Sequence, residues 1–437
     1  MNDIANPYEV TGALPASFDV DFAAPEFLAD PWPPLLMLQQ HDPVFWSAKQ
    51  KGWIVTRFED VRAGLSMDDK LTPDRVVPYF EQYGEEIRKN FPYMYRYTPK
   101  WVATMDPPAH TRMRQLFTSA FHKRVIDRER VFVREMVTGL LDVAGQRGEF
   151  DFVSEIGSVI PSRVICHLLG ISEQRRIEFV AWGEAALGGA LSAEVTPQVL
   201  AAMDNGLARM SEIIIAEIEH VRVEPRNDML TALVQARYEN DRLSDDELVA
   251  SCQLIFAAGF DTTMHMLSNG LIELAAHPEA CDYMLAAEAN VPKVVNELMR
   301  HVSLIKSSLR MARRNFAWHG KTIKKNDLVF LMNGTANRDP AYWKNPEQFD
   351  CERDNSETLG FGHGIHHCVG HLLAKMELSE FFTAAFARFD VEILPGDRGY
   401  TPSYSLRSMS KLPVRFTQIL SNREKVGYSD VTSTSNP

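Results

Sequence analysis

Residues 359–371, LGFGHGIHHCVGH, hold four histidines, one cysteine and four glycines. Histidine and cysteine bind metals, and cysteine is also a nucleophile. A structural zinc site takes ligand pairs from separated segments, whereas these donors share one short segment and no second Cys or His pair occurs elsewhere. A nucleophilic cysteine would need a base from a distant part of the fold, and no local protease signature is present. The spacing therefore argues against both chemistries.

A cysteine that binds haem iron accounts for the glycines as well. A porphyrin is flat, so the segment that carries the axial sulfur must run close against its face, and glycine permits that approach. The following residues, HLLAKMELSEFFTAAF, have a helical pattern. Cys368 would then lie near a helix N-terminus, where the dipole favours a thiolate.

The segment Phe361-Gly362-x-Gly364-x-His366-x-Cys368-x-Gly370 resembles the haem-binding loop of the cytochrome P-450 family. The resemblance covers residues 26–418 and includes further motifs in the family's order. They are MDPPAHTRMR (105–114), AGFDTT (258–263), NELMR (296–300), SLRMA (308–312) and FDCER (349–353).

The resemblance implies a haem b cofactor with Cys368 as the thiolate ligand of the iron. It assigns His110, Arg114, Arg310 and His366 to the two haem propionates. Such groups must come from separate segments, because two buried carboxylates require several positive or donor partners.

The same resemblance makes Asp261 and Thr262 the catalytic residues, which deliver protons to bound dioxygen. We expect a local widening of the helix at Gly259–Thr262; the alternative is that the Thr262 hydroxyl bonds the carbonyl four residues earlier. Glu297, Arg300 and Arg353 match a structural ion cluster beneath the haem loop.

The elements that must hold these residues are mainly α-helices, with small β-sheets. PVFWSAKQKGWIVTRF (43–58) predicts a hairpin around Lys51-Gly52, and a helix begins at the following EDVRAGL. A capping box at Ser244 opens a long apolar helix that ends at His277-Pro278. The resemblance implies the cytochrome P-450 fold, with this long central helix over a buried haem.

Composition and charge restrict the possible binding partners and the cellular compartment of the protein. The 437 residues carry a formal net charge of −12 and a pI of about 5.6, which argues against a nucleic-acid partner. Five scattered cysteines without a CxxC pair are typical of a reducing cytoplasm. Neither a signal peptide nor a membrane anchor is predicted. We expect a monomer with an N-terminal arm (1–25), one catalytic domain (26–420) and a disordered tail (421–437).

The substrate side is predicted to be largely hydrophobic. Residues 76–101, rich in Tyr and Phe, take the place of the family's variable loop over the haem, where aromatics could wall a pocket or pin the segment to the core. Further residues match pocket-lining positions: Leu254, Ala257, Ala258, 304–307 and Leu406. Lys306 departs from this pattern and could meet a propionate, a surface acid or a polar group of the substrate.

The predicted activity is that of a haem-thiolate monooxygenase, which inserts one atom of dioxygen into a small hydrophobic substrate. MDPPAHT, IKSSLR and GTANRD resemble the soluble bacterial branch that includes terpineol hydroxylase, so the substrate classes are terpenoid, steroid-like or alkyl-aromatic. Electrons would come from NAD(P)H through a ferredoxin and its reductase. The partner would dock on a positive patch, whose candidate residues are Arg112, Lys123, Arg124 and Lys375. A peroxide-driven peroxygenase and a non-catalytic haem sensor stay open as alternatives.

Overall fold

The computed structural model describes residues 14–187, 196–239 and 241–419. Helices account for most of this part of the chain, as the apolar periodicity predicts. The α-helices are α1 (Pro25–Ala29), α2 (Trp32–His41), α3 (Phe58–Leu65), α4 (Val76–Asn90), α5 (Pro92–Tyr97), α6 (Ala109–Ala120), α7 (Lys123–Arg147), α8 (Val159–Leu168), α9 (Glu173–Leu187), α10 (Pro197–Val223), α11 (Met229–Gln235), α12 (Asp245–Ala276), α13 (Pro278–Ala286), α14 (Val291–His301), α15 (Asn333–Ala336) and α16 (His371–Arg388). A π-helical turn spans Val153–Gly157, and short 3₁₀ turns span Thr98–Lys100, Val102–Thr104, Glu288–Asn290, Leu359–Phe361 and Gly364–His366.

Ten strands form small sheets at the edges of this helical body. The strands are β1 (Val44–Ser47), β2 (Gly52–Val55), β3 (Leu71–Thr72), β4 (Glu149–Asp151), β5 (Ser308–Ala312), β6 (Phe316–Trp318), β7 (Lys321–Ile323), β8 (Leu328–Leu331), β9 (Phe389–Ile393) and β10 (Pro413–Gln418). The largest sheet has the order β1-β2-β8-β5-β3, in which only β2 and β8 run parallel. β4-β10-β9 and β6-β7 are antiparallel. The predicted class, mainly α with small β-sheets, is confirmed.

The central helix α12 begins where the capping box predicts. The Ser244 hydroxyl accepts a hydrogen bond from the backbone N–H of Glu247, and the Glu247 carboxylate accepts one from the N–H of Ser244. Thirty-two residues give α12 a length of about 48 Å. Its long buried run is surrounded by α8, α9, α10 and α16, which share with it the largest hydrophobic core.

The predicted hairpin is present, and Lys51 and Gly52 have different roles in it. Val44 pairs with Val55 and Ser47 with Gly52. The left-handed position is taken by Lys51, with φ 50°. Gly52 instead lies in β2, where a Cβ would come within 2.9 Å of the carbonyl oxygen of Leu328 on β8. Close approach of the neighbouring strand therefore requires the glycine.

Residues 14–24 pack against this sheet, and Val20 and Phe22 are buried there. This part of the predicted arm therefore joins the protein core. Residues 1–13 and the predicted tail, 421–437, lie outside the described residues. The division into arm, catalytic domain and tail stays a prediction.

Residues 76–101 are helical rather than a loop. They form α4, which is kinked at Gly84, then α5 and a 3₁₀ turn. Tyr97 is buried, and the backbone N–H of Met94 donates to Asp204 of α10 at 2.7 Å. Arg96 forms an ion pair with Asp246 of α12 at 2.7 Å. These contacts pin the segment to the central helices.

Candidate haem and active site

The loop that carries Cys368 is shaped by two glycines in left-handed backbone. Gly362 and Gly364 both have φ 72°, a conformation that side chains disfavour. At Gly364 a Cβ would also lie 3.0 Å from the carbonyl oxygen of Leu65. The loop then folds back, because the N–H of Cys368 donates to the carbonyl of Phe361 at 2.9 Å. The sulfur is thus held on a fixed backbone, and the Cys368 side chain remains partly exposed.

Three influences act on the protonation of this thiol. Burial is the largest and raises the pKa of Cys368, while a hydrogen bond from the N–H of Gly370 and the charge of Arg114 both lower it. Gly370 is the N-cap of α16. The predicted helix N-terminus therefore favours the thiolate, but the chain alone leaves the pKa raised. A bound cation at the sulfur would stabilise the thiolate further.

The four residues assigned to propionates come from three segments and lie in one place, which we call the cation cluster: His110 and Arg114 on α6, Arg310 on β5 and His366 in the loop. The rings of His110 and His366 are 4.3 Å apart between centroids. Arg114 donates to the carbonyl of His367 at 2.6 Å, which ties α6 to the loop.

The positive groups of the cation cluster repel one another, and the negative charges of Asp68 and Asp106 oppose this effect at His110 and Arg310. Burial, then the charges of His110, Arg310 and Arg114, lower the pKa of His366 to about 3. Burial and the charge of Arg75 lower the pKa of Arg310 to about 10. Within the described part of the chain, no carboxylate forms an ion pair with a member of the cluster.

Buried nitrogen atoms of the cation cluster that lack a hydrogen-bond partner also indicate that a ligand is needed here. The Nε2 atoms of His110 and His366 are buried and have no hydrogen-bond partner among the described residues. The side-chain hydrogen bond of Arg310 goes to the carbonyl of its own neighbour, Leu309. A buried donor without an acceptor is costly, so such a group calls for a partner. One sulfur beside a set of unpaired donors fits a haem with two propionates.

Arg75 belongs to the same region and was missed by the motif analysis. Its charge acts on Arg310, its Nε is buried without a partner, and a terminal nitrogen donates to the hydroxyl of Tyr404 at 3.2 Å. Arg75 lies in a stretch, LTPDRVV, that matched none of the motifs. Arg75 is identified as part of this region only from its position in the folded structure.

The ion cluster of Glu297, Arg300 and Arg353 is present beneath the loop, as predicted. Arg300 and Glu297 are fully buried and form two hydrogen bonds of 2.7 and 2.8 Å. The Nε of Arg353 lies 3.5 Å from the same carboxylate. Arg300 also donates to three backbone carbonyls, those of Asn337, Pro346 and Gln348. This cluster is scaffolding for the segment that precedes the loop.

The middle of α12 lacks the local widening that the sequence predicts. The helix is unbroken from Asp245 to Ala276, so the local widening predicted at Gly259–Thr262 is not present. The Thr262 hydroxyl donates to the carbonyl of Ala258 at 2.6 Å. This bond satisfies the hydroxyl within a regular turn, which is why the helix needs no distortion.

The same stretch is open on one side. Ala258 is exposed and Asp261 and Thr262 are half-buried, although buried residues precede and follow them along α12. Burial, reinforced by the negative charge of Glu184, raises the pKa of the Asp261 carboxyl to about 6. Asp261 can therefore carry a proton near neutral pH.

The pocket candidates near the C-terminus are paired by a β-bridge between Ile305 and Leu406. Lys306 follows on the opposite side of that pairing, and its Nζ lies 5.4 Å from the ring centroid of Phe27 on α1. Burial, with the charge of Arg407, lowers the pKa of Lys306 to about 8. Lys306 thus contacts an aromatic ring, and it forms no ion pair with an acid of the described residues.

Three residues of the positive patch predicted for a redox partner have defined contacts in the structure. Arg112 forms ion pairs with Asp241 and Glu247, and Lys123 forms one with Asp127. Lys375 lies above the ring of Phe361, 5.3 Å from its centroid. Arg112 and Lys123 are thus paired with acids of the chain, and the role of these residues in docking stays a prediction.

Zinc chemistry finds no support in the geometry. In residues 14–187, 196–239 and 241–419, no three His, Cys, Asp or Glu side chains converge as a metal-binding group. His367 and His371 instead pack edge to face, with 5.0 Å between their ring centroids, and both lie beside the ring of Phe361. In the same described ranges, helices long and apolar enough to cross a membrane are absent.

Comparisons with known proteins agree with this site. The family described as Cytochrome P450 matches residues 198–288 and 290–416. The chain is 32% identical over 379 residues to 6-deoxyerythronolide B hydroxylase of Saccharopolyspora erythraea, covering 84% of this chain and 90% of that one. It is 31% identical over 401 residues to vitamin D(3) 25-hydroxylase of Pseudonocardia autotrophica, covering 90% and 96%.

A solved structure gives the same result for the fold. The Bacillus subtilis cytochrome P450 PksS of the bacillaene polyketide synthase superposes with a TM-score of 0.81 at 27% identity, covering 91% of this chain and all of that one. The chain belongs to the cytochrome P450 family. It is a haem-dependent oxidoreductase of the bacterial type, and its cofactor is haem b.

Proposed function

We propose that the protein is a monooxygenase that inserts one oxygen atom into a terpenoid, steroid-like or alkyl-aromatic substrate, with electrons from NAD(P)H delivered by a ferredoxin. The observation that carries the proposal is the cation cluster beside Cys368, in which the buried Nε2 atoms of His110 and His366 have no hydrogen-bond partner among the described residues and the charge of Arg114 acts on the thiol. Relatives named as hydroxylases of a polyketide and of vitamin D(3) support a bulky hydrophobic substrate.

Each residue has a distinct task in this proposal. Cys368 would bind the iron through its sulfur, and His110, Arg114, Arg310 and His366 would donate to the two propionates. The haem supplies the activation of dioxygen when it is bound. The chain contributes the position of the ring, the exclusion of water and the supply of protons.

Asp261 and Thr262 would supply the protons. A proton held on an Oδ of Asp261 would pass toward the Thr262 hydroxyl, directly or through water. The Thr262 hydroxyl donates a hydrogen bond to the Ala258 carbonyl, which leaves the lone pairs of Oγ1 free to accept a hydrogen bond. Because Ala258 is exposed beside it, this hydroxyl borders open space on the side where a ligand would lie.

The first experiment tests the sulfur. Reduced protein purified with its haem and treated with carbon monoxide should show the red-shifted Soret band typical of thiolate ligation. The isosteric variant Cys368→Ser should lose that band, whereas Cys351→Ser, which changes a cysteine outside the loop, should keep it. A wild-type spectrum without the band would refute the assignment.

The second experiment tests catalysis and separates the alternatives. With a surrogate ferredoxin system, Thr262→Ala should divert electrons to peroxide, and Thr262→Ser should restore coupling to product. A peroxygenase would instead turn over with peroxide alone and would be insensitive to Thr262→Ala. A haem sensor would show no product under either condition.

The ferredoxin assignment has its own test. Lys375 is half-buried on α16 above the ring of Phe361, and no ion pair to it is found among the described residues. Lys375→Glu should weaken electron transfer most at low salt, because charge complementarity mainly affects association rates. The same reversal at Lys123, which already pairs with Asp127, should have a smaller effect.

A further inference from the structure

Helix α15 and its C-cap residue bring two buried asparagines, Asn333 and Asn337, to the start of the haem loop. Both residues are 0% exposed. They lie in the segment NGTANRD (333–339), whose side chains have no part in the haem site described above. A buried amide has lost the hydrogen bonds of water, so its donors and its acceptor require partners in the protein.

The partners of these two amides include both backbone groups of one loop residue, Leu359. The Oδ1 of Asn337 accepts from the N–H of Leu359 at 2.9 Å, and the Nδ2 of Asn333 donates to the carbonyl of Leu359 at 3.0 Å. The hydroxyl of Thr358 also donates to the Asn337 Oδ1, at 3.3 Å. Side chains rather than a regular backbone ladder therefore fix the peptide groups at Leu359, and we call Asn333 and Asn337 the amide clamp.

Two further backbone hydrogen bonds connect Leu359 to the residue that carries the sulfur. The carbonyl of Leu359 also accepts from the N–H of Gly362 at 3.0 Å, which closes a 3₁₀ turn. Within that turn, the carbonyl of Phe361 accepts from the N–H of Cys368 at 2.9 Å. The position of Leu359 is thus transmitted to Cys368 through one turn and one hydrogen bond.

The amide clamp is itself held against α14. Arg300 donates to the carbonyl of Asn337 at 2.9 Å, and the Asn337 Nδ2 donates to the hydroxyl of Ser303 at 3.3 Å. On the loop, a Cβ at Gly360 would come within 2.7 Å of the carbonyl oxygen of Met299. α14, the amide clamp and the start of the haem loop are therefore in close contact, which favours one fixed arrangement.

We propose that Asn333 and Asn337 are positioning residues for the iron ligand. By fixing the backbone of Leu359, they set the orientation of the Cys368 sulfur and hence the strength of its bond to iron. This inference rests on the proposed role of Cys368. Loss of a group that orients a metal ligand typically costs about 10- to 100-fold in metal affinity or activity, so the effect should be measurable at the iron–sulfur bond.

The first test, Asn333→Leu, separates positioning from stability. Leucine has nearly the shape of asparagine, and the carbonyl of Leu359 keeps the N–H of Gly362 as a donor. The Asn333 Oδ1 is buried without a partner among the described residues, so its removal offsets the lost hydrogen bond. Thermal unfolding of the holoprotein should stay near wild type. The iron–sulfur stretch in the resonance Raman spectrum should move to lower frequency, because a less constrained sulfur binds iron more weakly.

The second test, Asn337→Leu, should have the larger effect. It removes the oxygen that accepts from the N–H of Leu359 and from the hydroxyl of Thr358. At a urea concentration below the unfolding transition, the half-life of the red-shifted carbon monoxide band should fall about 10- to 100-fold. Asn337→Asp keeps an oxygen at this place and should restore the iron–sulfur frequency and most of the half-life.

Gln39 of α2 provides a matched control. Its side chain is a buried amide that also binds α15, since its Nε2 donates to the carbonyls of Thr56 and Thr335, both at 2.9 Å, and not to the haem loop. Gln39→Leu should therefore lower the thermal stability of the holoprotein and leave the iron–sulfur frequency at the wild-type value.

The outcomes separate this inference from the function on which it rests. If Cys368→Ser loses the red-shifted band while Asn333→Leu and Asn337→Leu keep the wild-type iron–sulfur frequency, the amide clamp is refuted and the proposed function stands. A shift in Gln39→Leu as large as that in Asn333→Leu would also refute it, because general loosening of α15 would then explain the change. If Asn337→Leu does not fold with haem, Asn333→Leu decides alone. A wild-type protein without the band would overturn both proposals.

Discussion

The two charged clusters on either side of the haem loop are built in opposite ways. In the ion cluster, the side chains of Glu297 and Arg300 are both 0% exposed, and each carboxylate oxygen of Glu297 and each guanidinium nitrogen of Arg300 has a partner. In the cation cluster, several positive or donor groups share one place, and no acid from the described residues pairs with them.

This difference distinguishes scaffold from binding site. A buried charge that is matched within the chain stabilises the fold only as long as both partners remain. A set of buried donors without acceptors is costly in the protein alone, and its cost is offset when a negative ligand binds. Removing a charge should therefore have opposite consequences in the two clusters.

The largest effect is expected at Glu297. Glu297→Gln leaves Arg300 buried without a counter-charge, and breaking such a pair typically costs about 3–5 kcal/mol of unfolding free energy. Chemical denaturation of the holoprotein, followed by far-UV circular dichroism, measures this loss.

The exposed pair Arg209–Glu212 provides the control. It joins residues three apart on a helix, as Glu297 and Arg300 do, but its side chains are 50% and 62% exposed. Glu212→Gln should cost less than about 1 kcal/mol, because solvent screens the pair. Equal losses at the two glutamates would show that burial does not set the value of the ion cluster.

The sequence predicted those parts of the fold that local rules determine. Ser244 and Glu247 define the start of the central helix because their side chains bond the nearby backbone. Alternating aromatic and β-branched residues gave the hairpin β1–β2. The family motifs gave the residues of the ion cluster and the cation cluster, since each motif fixes a residue type at a fixed place in the fold.

The remaining features depend on contacts that are distant in the sequence. Arg75 reaches the cation cluster only through the tertiary fold, and Asp241 and Glu247 neutralise Arg112 across more than a hundred residues. At Lys51 and Gly52 the sequence signal was right about the turn, but the glycine is required by strand β8. Pairings of this kind leave no periodic or motif signal.

Two buried glutamates on α16 give a second comparison between a paired and an unpaired buried group. Glu380 forms ion pairs with Arg130 and Arg134 at 2.6 and 2.9 Å. Glu377 is buried without such a partner in the described part of the chain, and burial raises its pKa to about 8. The folded state therefore binds a proton that the unfolded state releases above pH 4.5, so stability falls as pH rises from about 4.5 to 8.

Glu377→Gln should abolish this pH dependence, in which the free energy of unfolding falls by about 3 kcal/mol between pH 4.5 and 7. Glu380→Gln should instead lower stability at neutral pH, because two arginines lose their partner. Thermal unfolding of both variants between pH 5 and 8 compares them. A wild-type slope retained in Glu377→Gln would place the responsible titration elsewhere.

The smallest effect is expected in the cation cluster, and its sign is the decisive feature. In the proposed role of Arg310, Arg310→Met would remove one charge-assisted contact to a propionate, typically worth about 1.5–3 kcal/mol, so haem should dissociate about 10- to 100-fold more readily. The apoprotein should lose no stability, because one of several unpaired positive groups is gone. Haem transfer to an excess of apomyoglobin measures the first quantity and thermal unfolding of the apoprotein the second, with Arg314→Met at an exposed arginine as the control. Destabilised apoprotein with unchanged haem retention would place Arg310 with the scaffold rather than with the binding site.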